Sequence, residues 1–562
     1  MRKISVFILA LILALAFFLR FYKLGEVPYG FSQDESAIGY NAFSIIETGK
    51  DEHGESFPLY FKAFGDYKLP IYIYSTIPAI KFFGLTEFAV RFPSALFGFL
   101  TVVLFYFFVK ALTNNVRLAL LGTSLLAINP WHLHYNRITL EVSISLFFFV
   151  LGGFLLSKAF QRGKKGLFFL GTLCFIVDIY TYNLTRMLSP VLLLLFLLFY
   201  RKKLKAISRE EIITTIVISI GFLVPFLTTL FGPGGFGSAG GTLITSSAAV
   251  KAPLLEFRSY LIDLPSLFTK LFFNTATLTV WRFLENVASY MSAPFLFVSG
   301  STHGNHGIGN VGQFYLFELP LVVLGIYTII RDKILWGRLL LLWAIIVILV
   351  VSLTREAPQA NRSFFLITPL VVFSAVGVFA LGNLVKTLKN NKYRTLLIAA
   401  FALFAGYNIV YYFASYYVRF PVAYAKSWRS ADKDISLYLG QVSSSYDKVI
   451  FDKKAGFVYT SLLFYQQIPP KEFQETAVYE PDDSEGMSPL ASFGKYEFRN
   501  IDWDKDGKSK NTLIITSLEG KPEDKSVKAI FSYPKRPVVI STRQEILQFP
   551  VEDVAYVVIE TE

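Results

Sequence analysis

The sequence predicts a polytopic α-helical membrane protein that ends in a soluble α/β domain. Of the 562 residues, 53% are apolar and 17% aromatic, which indicates a chain whose main solvent is not water. Apolar windows of roughly 20 residues, the length that crosses about 30 Å of hydrocarbon, recur through the first three-quarters of the chain. The last 130 or so residues instead alternate short β-like runs with polar and helical stretches, which is typical of an α/β domain.

About eleven segments qualify as candidate spans. The first resembles a secretory signal, but no small-residue cleavage site follows it and Arg20 and Lys23 end the run, so we expect an uncleaved first span. The eleven candidates centre near residues 4–22, 88–110, 117–133, 142–160, 166–182, 186–200, 211–231, 312–330, 335–353, 363–385 and 395–414.

The basic residues predict the orientation of these spans. They concentrate in every second connection, for example "KAFQRGKK", "RKKLKAISR" and "KTLKNNKYR", and basic loops stay in the cytoplasm. The loops at 25–87 and 232–311 should then face the other side of the plasma membrane. We therefore expect a transmembrane domain over 1–416 and an extracytoplasmic soluble domain over 417–562.

Charge and motifs exclude several classes of function. The net charge is +13, yet residues 432–562 carry 16 Lys and Arg against 22 Asp and Glu. The basic excess therefore belongs to the cytoplasmic loops and the candidate site, and it is no argument for a nucleic-acid partner. The single cysteine, Cys174, excludes disulfides within the chain. ATP-driven transport has little support because no P-loop motif occurs.

The long loop at 232–311 has two parts. It opens with "GPGGFGSAGGTLITSSAAV", whose Gly and Ser content suits a mobile lid or a disordered segment. Its second half is amphipathic and aromatic, and it predicts helices that lie along the membrane surface.

Ionisable and polar residues gather where this topology places the outer ends of the spans. Ionisable groups at membrane depth are costly and usually functional, and here both signs of charge occur on one side. These residues are Asp34, Glu35, Asp66, Lys68, Arg91, Arg137, Glu141, Tyr182, Arg186, His303, His306, Arg355 and Arg362.

This mixture suits group transfer from an anionic lipid. A carboxylate can orient or deprotonate an acceptor hydroxyl, while Arg and Lys neutralise a departing phosphate. Nucleotide sugars are not normally supplied outside the cytoplasm. We therefore expect a polyprenyl-phosphate sugar as donor, membrane lipids as surroundings, and a protein, lipid or cell-envelope glycan as acceptor.

The run "DESAIGYNAFSIIETGKDEHGESFPLYFKAFGDYKLPIYIYSTIPAIKFFGLTEFAVRFPSALFG" looks like the first extracytoplasmic loop and second span of the protein O-mannosyltransferase-like family. That family includes the bacterial lipid A aminoarabinose transferases and belongs to the C-type integral-membrane glycosyltransferases. The blocks "PWHLHYNRITLE" and "YTYNLTRMLSP" resemble later parts of bacterial members. The resemblance runs from about residue 4 to 440.

The resemblance implies an inverting glycosyltransferase of C-type architecture that transfers a single sugar. It implies Asp34 as the catalytic base, with Glu35 beside it, and Glu141 at a position where many relatives carry an acidic residue, often Asp. Lys68 falls where relatives carry a lysine before proline, and His306 aligns with a recurrent histidine. The predicted catalytic residues are Asp34, Glu35 and Glu141, and the predicted substrate-binding residues are Lys68, Arg91, Arg137, Tyr182, Arg186, His306 and Arg362.

Other interpretations of the same residues stay open. Asp34 and Glu35 also suit the N-terminal cap of a helix, and Lys68 and Arg91 also suit snorkelling at the interface. His132 and His134 follow Trp131 at a span end, which favours interface anchoring. "KDEHG", residues 50–54, is a weaker candidate for a metal site, so we expect no cofactor, although a divalent cation remains an option.

Two other functions compete with single-sugar transfer. An oligosaccharyltransferase or glycan ligase of the same superfold would move a longer glycan from a pyrophosphate lipid and would be expected to bind a divalent cation. A lipid or solute transporter would be expected to carry inverted repeats and broken helices near the bilayer centre, whereas the polar residues here lie at span ends.

Overall fold

The described part of the chain is mostly helical, with one larger sheet near its C-terminal end. The computed structural model describes residues 2–63, 66–162, 166–230, 243–245, 247–260, 266–481, 488–541, 546–551 and 553–561. The Gly-rich segment that opens the long loop, over 231–242, lies outside these residues.

Between Arg2 and Ala414 the described residues form eighteen α-helices. The first ten are α1 (Arg2–Phe21), α2 (Gln33–Thr48), α3 (Pro70–Phe83), α4 (Glu87–Thr113), α5 (Val116–Ile128), α6 (Pro130–Tyr135), α7 (Glu141–Arg162), α8 (Leu167–Asp178), α9 (Thr185–Phe199) and α10 (Arg209–Leu230). The next eight are α11 (Ser247–Ser259), α12 (Ser266–Phe272), α13 (Thr275–Tyr290), α14 (Glu318–Arg331), α15 (Leu335–Ser352), α16 (Ala360–Ser363), α17 (Ile367–Lys386) and α18 (Asn391–Ala414).

Each predicted span coincides with one of these helices. Seven helical regions among the described residues are long and apolar enough to cross a membrane, by length and composition. They contain α1, α4, α7, α10, α15, α17 and α18. The counterparts of the other four predicted spans, α5, α8, α9 and α14, have 12 to 15 residues, fewer than a perpendicular crossing needs. The chain is a multi-pass membrane protein.

The described chain divides into two compact units by its contacts. The first, called the membrane unit here, consists of Met1–Tyr22, Ser94–Asn136 and Leu140–Tyr412. Inside it, Gly325 of α14 and Gly377 of α17 let the two helices approach closely, because a Cβ at either position would overlap a backbone carbonyl of the other helix.

The second unit, called the loop-tail unit, consists of Lys23–Pro93, Arg137–Thr139 and Phe413–Glu562. It therefore combines the first predicted extracytoplasmic loop with the C-terminal region. Its further helices are α19 (Phe420–Ala423), α20 (Ser430–Val442), α21 (Tyr459–Tyr465), α22 (Pro470–Thr476) and α23 (Trp503–Asp506).

The sheet of the loop-tail unit confirms the predicted C-terminal α/β fold. The strands are β1 (Phe61–Ala63), β2 (Asp66–Lys68), β3 (Lys448–Asp452), β4 (Val478–Tyr479), β5 (Leu490–Phe493), β6 (Tyr496–Arg499), β7 (Thr512–Thr516), β8 (Ala529–Ser532), β9 (Arg536–Ser541), β10 (Ile546–Val551) and β11 (Val554–Thr561). Seven form one sheet in the order β4-β5-β6-β3-β7-β11-β8, with β3 parallel to β6 and β7. The runs "DKVIFD", "TLIITSL", "KAIFSYP" and "VAYVVIE" supply β3, β7, β8 and β11.

The helix that carries the acidic pair has well-defined ends. Ser32 caps α2 by accepting from the Glu35 amide, while the Glu35 carboxylate accepts from the Ser32 amide in return. At the other end, Gly49 adopts φ +69°, the left-handed conformation that terminates helices. Local sequence thus determines where α2 begins and ends.

The described helices of the long loop have the expected amphipathic surface. On α13, Val280, Trp281 and Leu284 are exposed, while Asn286 and Tyr290 are buried. Such an exposed apolar face with an aromatic ring suits the membrane surface that the sequence predicts for this segment.

Candidate active site

Asp34 is the accessible carboxylate of the acidic pair. It is the second residue of α2, and its side chain is 55% exposed. Lys68, the last residue of β2, is only 15% exposed, and its Nζ lies 3.2 Å from Oδ1 of Asp34. The structure therefore joins these two predicted site residues in an ion pair at the start of a helix, where the dipole also favours a negative charge.

Glu35 lies next to Asp34 in sequence but in a different environment. Its side chain is 1% exposed, and Arg91 donates to it through Nε at 2.9 Å and through Nη2 at 3.0 Å. The backbone amides of Ser32 and Thr139 donate to the same carboxylate at 3.0 and 3.1 Å. Both carboxylate oxygens are thus held by internal donors.

The remaining N–H groups of the Arg91 guanidinium donate to backbone carbonyls. Nη1 donates to Leu24 and Pro28 at 3.3 and 3.1 Å, and Nη2 donates to Gly30 at 2.7 Å. Together with the two bonds to Glu35, these give each of the five N–H groups an acceptor. Arg91 is fully buried and ties the segment before α2 to the helix itself.

Arg137 binds the same segment from another direction. Its Nη2 donates to the carbonyls of Lys23 and Val27, both at 3.2 Å. Its Cζ lies 5.6 and 5.5 Å from the ring centroids of Tyr416 and Tyr417, within the range of a cation–π contact. Two buried arginines thus hold five carbonyls of the stretch that leads into α2.

The membrane unit contains the other five predicted residues. Glu141 is the first residue of α7, and Arg186 is the second residue of α9. The Cζ of Arg186 lies 5.5 Å from the ring centroid of Phe226 on α10. Tyr182, in the turn before α9, has its ring 6.5 Å from that of Phe365.

His306 lies in a connection of the membrane unit, and Arg362 lies in the short helix α16. The His306 ring is 6.2 Å from Tyr135, whose hydroxyl donates to the His306 carbonyl at 3.5 Å. Arg362 pairs with Glu356, with Nη2 3.3 Å from Oε2. The Tyr135–His306 contact joins segments 171 residues apart, whereas Arg362 and Glu356 are only six residues apart.

A cavity of about 370 Å³ lies beside the Glu356 loop. Arg282 and Asn286 of α13 line one side, and Arg355 and Glu356 line another. Asn286 holds this wall in place, because its Nδ2 donates to the carbonyls of Ser352 and Thr354 at 3.0 and 2.9 Å.

The structure brings together half of the predicted site. Within the loop-tail unit, Asp34 contacts Lys68, Glu35 contacts Arg91, and Arg137 binds the same preceding segment. The remaining five belong to the membrane unit, and a single site made of all ten stays a prediction. These five are Glu141, Tyr182, Arg186, His306 and Arg362.

Sequence reasoning did not single out Asp178, a buried carboxylate of the membrane unit. Asp178 ends α8 and is fully buried, and Ser189 donates to its Oδ2 at 2.7 Å. Thr185 donates to its carbonyl at 2.6 Å, so Asp178 ties α8 to the first turn of α9. The signal was present, since an acid inside an apolar run is itself unusual.

The expectation of interface anchoring for His132 and His134 was wrong. His132 is fully buried, with Nδ1 2.6 Å from Nη2 of Arg20, and His134 is buried with Nε2 3.0 Å from the Asn305 carbonyl. Packing against other helices, rather than lipid, surrounds both rings. Anchoring by amphipathic rings needs a lipid-facing position, which the sequence pattern does not specify.

Metal binding has no cluster to support it in the described ranges. Within them, no three His, Cys, Asp or Glu side chains lie close enough to hold an ion together. In the "KDEHG" segment, Glu52 accepts from Asn41 Nδ2 at 3.2 Å and from the Tyr459 hydroxyl at 3.4 Å. These bonds explain its burial without an ion.

Known proteins resemble the chain in sequence over one part and in fold over nearly all of it. Residues 10–228 match the family model described as dolichyl-phosphate-mannose-protein mannosyltransferase. No curated protein matches by sequence.

Two crystal structures of ArnT from Cupriavidus metallidurans, one bound to undecaprenyl phosphate and one in the apo state, superpose with a TM-score of 0.50 at 14% identity. Each comparison covers 98% of this chain and 97% of ArnT. The oligosaccharyltransferase of Archaeoglobus fulgidus reaches a TM-score of 0.48 at 12% identity, over 92% of this chain and 70% of that one.

These matches agree with the resemblance seen in the acidic-pair loop. The family model covers that loop, both ends of α4 and the start of α9, and the ArnT fold spans the membrane helices and the C-terminal sheet. The chain is therefore an integral-membrane glycosyltransferase whose residues 10–228 are similar to the protein mannosyltransferases and whose fold is similar to that of ArnT.

Proposed function

We propose that the protein transfers a single sugar from a polyprenyl-phosphate donor to an acceptor hydroxyl on the extracytoplasmic face, with inversion at the anomeric carbon. The observation that carries this proposal is the contrast within the acidic pair. Asp34 is exposed beside Lys68, whereas both oxygens of Glu35 are occupied by internal donors. Asp34 is the carboxylate of the pair that can meet a substrate.

Asp34 accepts the proton of the acceptor hydroxyl as its oxygen attacks the anomeric carbon. The new carbon–oxygen bond forms while the bond from that carbon to the phosphate oxygen breaks, and the lipid phosphate leaves with the electron pair. Lys68, 3.2 Å from Asp34, supplies positive charge that stabilises the negative charge developing on the departing phosphate.

The other cations divide into two roles in this proposal. Arg91 and Arg137 position the segment before α2, because their donors are bound to its carbonyls. Arg186 and Arg362 bind the donor, with Tyr182 and His306 beside the sugar or lipid and Glu141 as a second carboxylate. The cavity beside Glu356, with Arg282 and Arg355, suits part of an anionic substrate.

The choice of donor rests on the relatives. The family is described by a dolichyl-phosphate-mannose donor, and one ArnT structure holds undecaprenyl phosphate. Both are polyprenyl phosphates. The acceptor, a protein, lipid or cell-envelope glycan, is proposed only as a class that carries a hydroxyl.

The test compares the wild type with Asp34→Asn in proteoliposomes. Purified protein is incubated with radiolabelled polyprenyl-phosphate mannose or polyprenyl-phosphate arabinose and host membranes. Loss of a positioned base is expected to slow transfer by roughly 10²–10⁴-fold. The matched control is Glu26→Gln, which removes one negative charge from an exposed position of the same loop and should keep the wild-type rate.

Equal transfer by Asp34→Asn and wild type would remove Asp34 from the mechanism. Transfer from a pyrophosphate-linked oligosaccharide, but from neither monosaccharide donor, would favour an oligosaccharyltransferase. Substrate flux across vesicles without any sugar transfer would favour a transporter.

A further inference from the structure

The helix that carries Asp34 is buried to an unusual degree for its composition. Ten of the 16 residues of α2 are buried, including Ser36, Asn41 and Ser44. Polar side chains at buried positions need hydrogen-bond partners. The hydrogen-bond partners of Ser36 and Ser44 show which part of the chain covers the helix.

Helices α21 and α22 of the C-terminal region cover α2 within the loop-tail unit. The Ser36 and Thr460 hydroxyls lie 2.7 Å apart. One turn later, the Tyr40 hydroxyl donates to the Ile468 carbonyl at 3.1 Å. One turn after that, Gln474 Nε2 donates to Ser44 Oγ at 3.1 Å. Residues 36, 40 and 44 are four apart and share one face, so each successive turn is bonded.

Gly39, on the adjoining face of α2, lets this helix pack closely against Phe464 and Val90. A Cβ at this position would lie 2.7 Å from the Phe464 ring and 2.8 Å from Val90. Non-bonded carbon atoms are most favourably separated by about 3.5–4.0 Å, so a methyl group does not fit here unless its neighbours move. To admit one, either the Phe464 and Val90 side chains or α2 itself would have to move.

Helices α20 and α21 of the C-terminal region also contact residues around the acidic pair. The Phe31 and Phe464 ring centroids are 4.7 Å apart, just before α2 begins. At the start of α4, Glu87 accepts from Lys433 Nζ at 3.1 Å and from the Tyr465 hydroxyl at 2.6 Å. The contacts thus continue on both sides of the Glu35–Arg91 pair.

We propose that the C-terminal domain is a positioning element of the active site, in which Thr460, Phe464 and Gln474 set the position and rotation of α2 and so the place of the Asp34 carboxylate. The proposal rests on the proposed role of Asp34. The C-terminal domain then acts on the reaction through helix packing, and displacements near 1 Å at a reacting group can cost about 100-fold in rate.

The first test is Gly39→Ala in the full-length protein. With the two radiolabelled donors named above, kcat should fall at least about tenfold, while KM for the lipid donor stays within about threefold. Phe464→Leu together with Val90→Ala in the same chain removes the atoms of both side chains that the new methyl meets, and this combination should restore most of the lost kcat. The matched control is Gly440→Ala on α20, where a Cβ would meet its nearest atom at an ordinary 3.6 Å.

A gentler variant tests the hydrogen bond without a clash. Thr460→Val keeps the shape of the side chain and removes its hydrogen bond with the Ser36 hydroxyl, which retains only its bond to the Gln33 carbonyl. This variant should lower kcat, whereas Thr460→Ser should retain it. Hydrogen exchange of residues 33–48 supplies a measurement that needs no turnover. Exchange should speed up in Gly39→Ala and in Thr460→Val. It should return toward the wild-type rate when Phe464→Leu and Val90→Ala accompany Gly39→Ala, and it should stay near the wild-type rate in Thr460→Ser and Gly440→Ala.

The outcomes separate this inference from the proposed function. If Asp34→Asn is inactive but Gly39→Ala and Thr460→Val keep wild-type kcat and exchange, the positioning role is wrong and the reaction stands. If Asp34→Asn transfers sugar at the wild-type rate, the proposed function fails whatever the exchange shows. A loss of kcat that tracks a lower unfolding temperature, with no recovery in the rescue variants, also overturns the positioning role.

Discussion

Adjacent acidic residues take different roles because of where their side chains point. Asp34 faces solvent beside Lys68, whereas Glu35 turns inward to Arg91 and two backbone amides. A carboxylate that is bonded on both oxygens and buried cannot exchange protons with an incoming hydroxyl without breaking its own pairing. The geometry therefore separates a chemical role for one residue from a structural role for its neighbour.

The Glu35–Arg91 pair should be strongly coupled in stability. Breaking a buried ion pair leaves an uncompensated charge and typically costs about 3–5 kcal/mol. In a double-mutant cycle of Arg91→Met and Glu35→Gln, the double variant should lose clearly less than the sum of the singles. The carbonyl bonds of Arg91 cancel in this cycle, since they are lost with Arg91→Met in both backgrounds. The measurement is the unfolding free energy in detergent.

The control pair is Arg282–Glu285 on α13, at 3.1 Å but 46% and 43% exposed. Exposed pairs of this kind contribute about 0.2–1 kcal/mol. A coupling for Glu35–Arg91 no greater than that of the control would show that the buried pair does not hold the segment before α2.

At the scale of elements, the connection between α2 and β1 contains an unusual carboxyl group. Burial raises the pKa of Glu52 to about 8 from its ordinary 4.5, and hydrogen bonds from Asn41 and Tyr459 only partly oppose this. Burial also raises the pKa of Asp51 to about 6 and lowers that of His53 to about 4. Above pH 6.5, Glu52 is therefore the member of this trio that still titrates.

The pKa of Glu52 predicts that stability falls with rising pH. Between 4.5 and 8 the folded state holds a proton on Glu52 that the unfolded state has released, so the contribution is complete below 4.5 and is lost as pH rises through 8. The slope from this group is at most about 1.4 kcal/mol per pH unit. Glu52→Gln mimics the protonated acid and should flatten the decline in unfolding temperature between pH 6.5 and 8.

Glu47→Gln on the exposed side of α2 is the matched control and should keep the wild-type slope. An unchanged slope in Glu52→Gln would mean that Glu52 is already ionised in the folded protein. The buried bonds to Asn41 and Tyr459 would then have to stabilise its charged form.

At the scale of the whole molecule, the distribution of basic residues predicts which face carries the acidic pair. The chain has one cysteine, Cys174, and it is buried, so introduced cysteines can be labelled against a low background. Lys471→Cys, at an 81% exposed position of α22, should react with a membrane-impermeant maleimide in right-side-out vesicles. Lys389→Cys, between α17 and α18, should react only after permeabilisation.

Reaction of Lys389→Cys in sealed vesicles, with protection of Lys471→Cys, would reverse the proposed orientation. Sealed inside-out vesicles provide the control, because the two labelling patterns should exchange there.

Much of the helical architecture followed from sequence because it depends on local properties. Solvation by lipid acts residue by residue along a helix, so hydropathy located a helix at each of the eleven predicted spans. It placed their limits less well, and α5, α8 and α14 came out shorter than predicted. Short apolar runs also located β3 and β7, because a central strand buried on both faces leaves that pattern.

The roles of individual charges did not follow from sequence. Arg91 was predicted to bind substrate, and its rarity inside a span made it conspicuous, but its five donors are bound to Glu35 and to carbonyls up to 67 residues away. His132 was expected at the lipid interface, and instead it meets Arg20 across 112 residues. Such pairings depend on which distant segments meet, and composition and spacing carry little information about that.

By itself, the sequence determined that the chain crosses a membrane many times, that it carries an acidic pair at the start of α2, and that a soluble α/β region follows. Each of these depends on hydropathy, capping or periodicity over a few turns. Only the tertiary structure decided that Asp34 is exposed while Glu35 is paired, and that Thr460 meets Ser36 from 424 residues away. The physical reason is that burial and partner choice are properties of the packed chain, whereas helix formation and membrane solvation are largely properties of each segment.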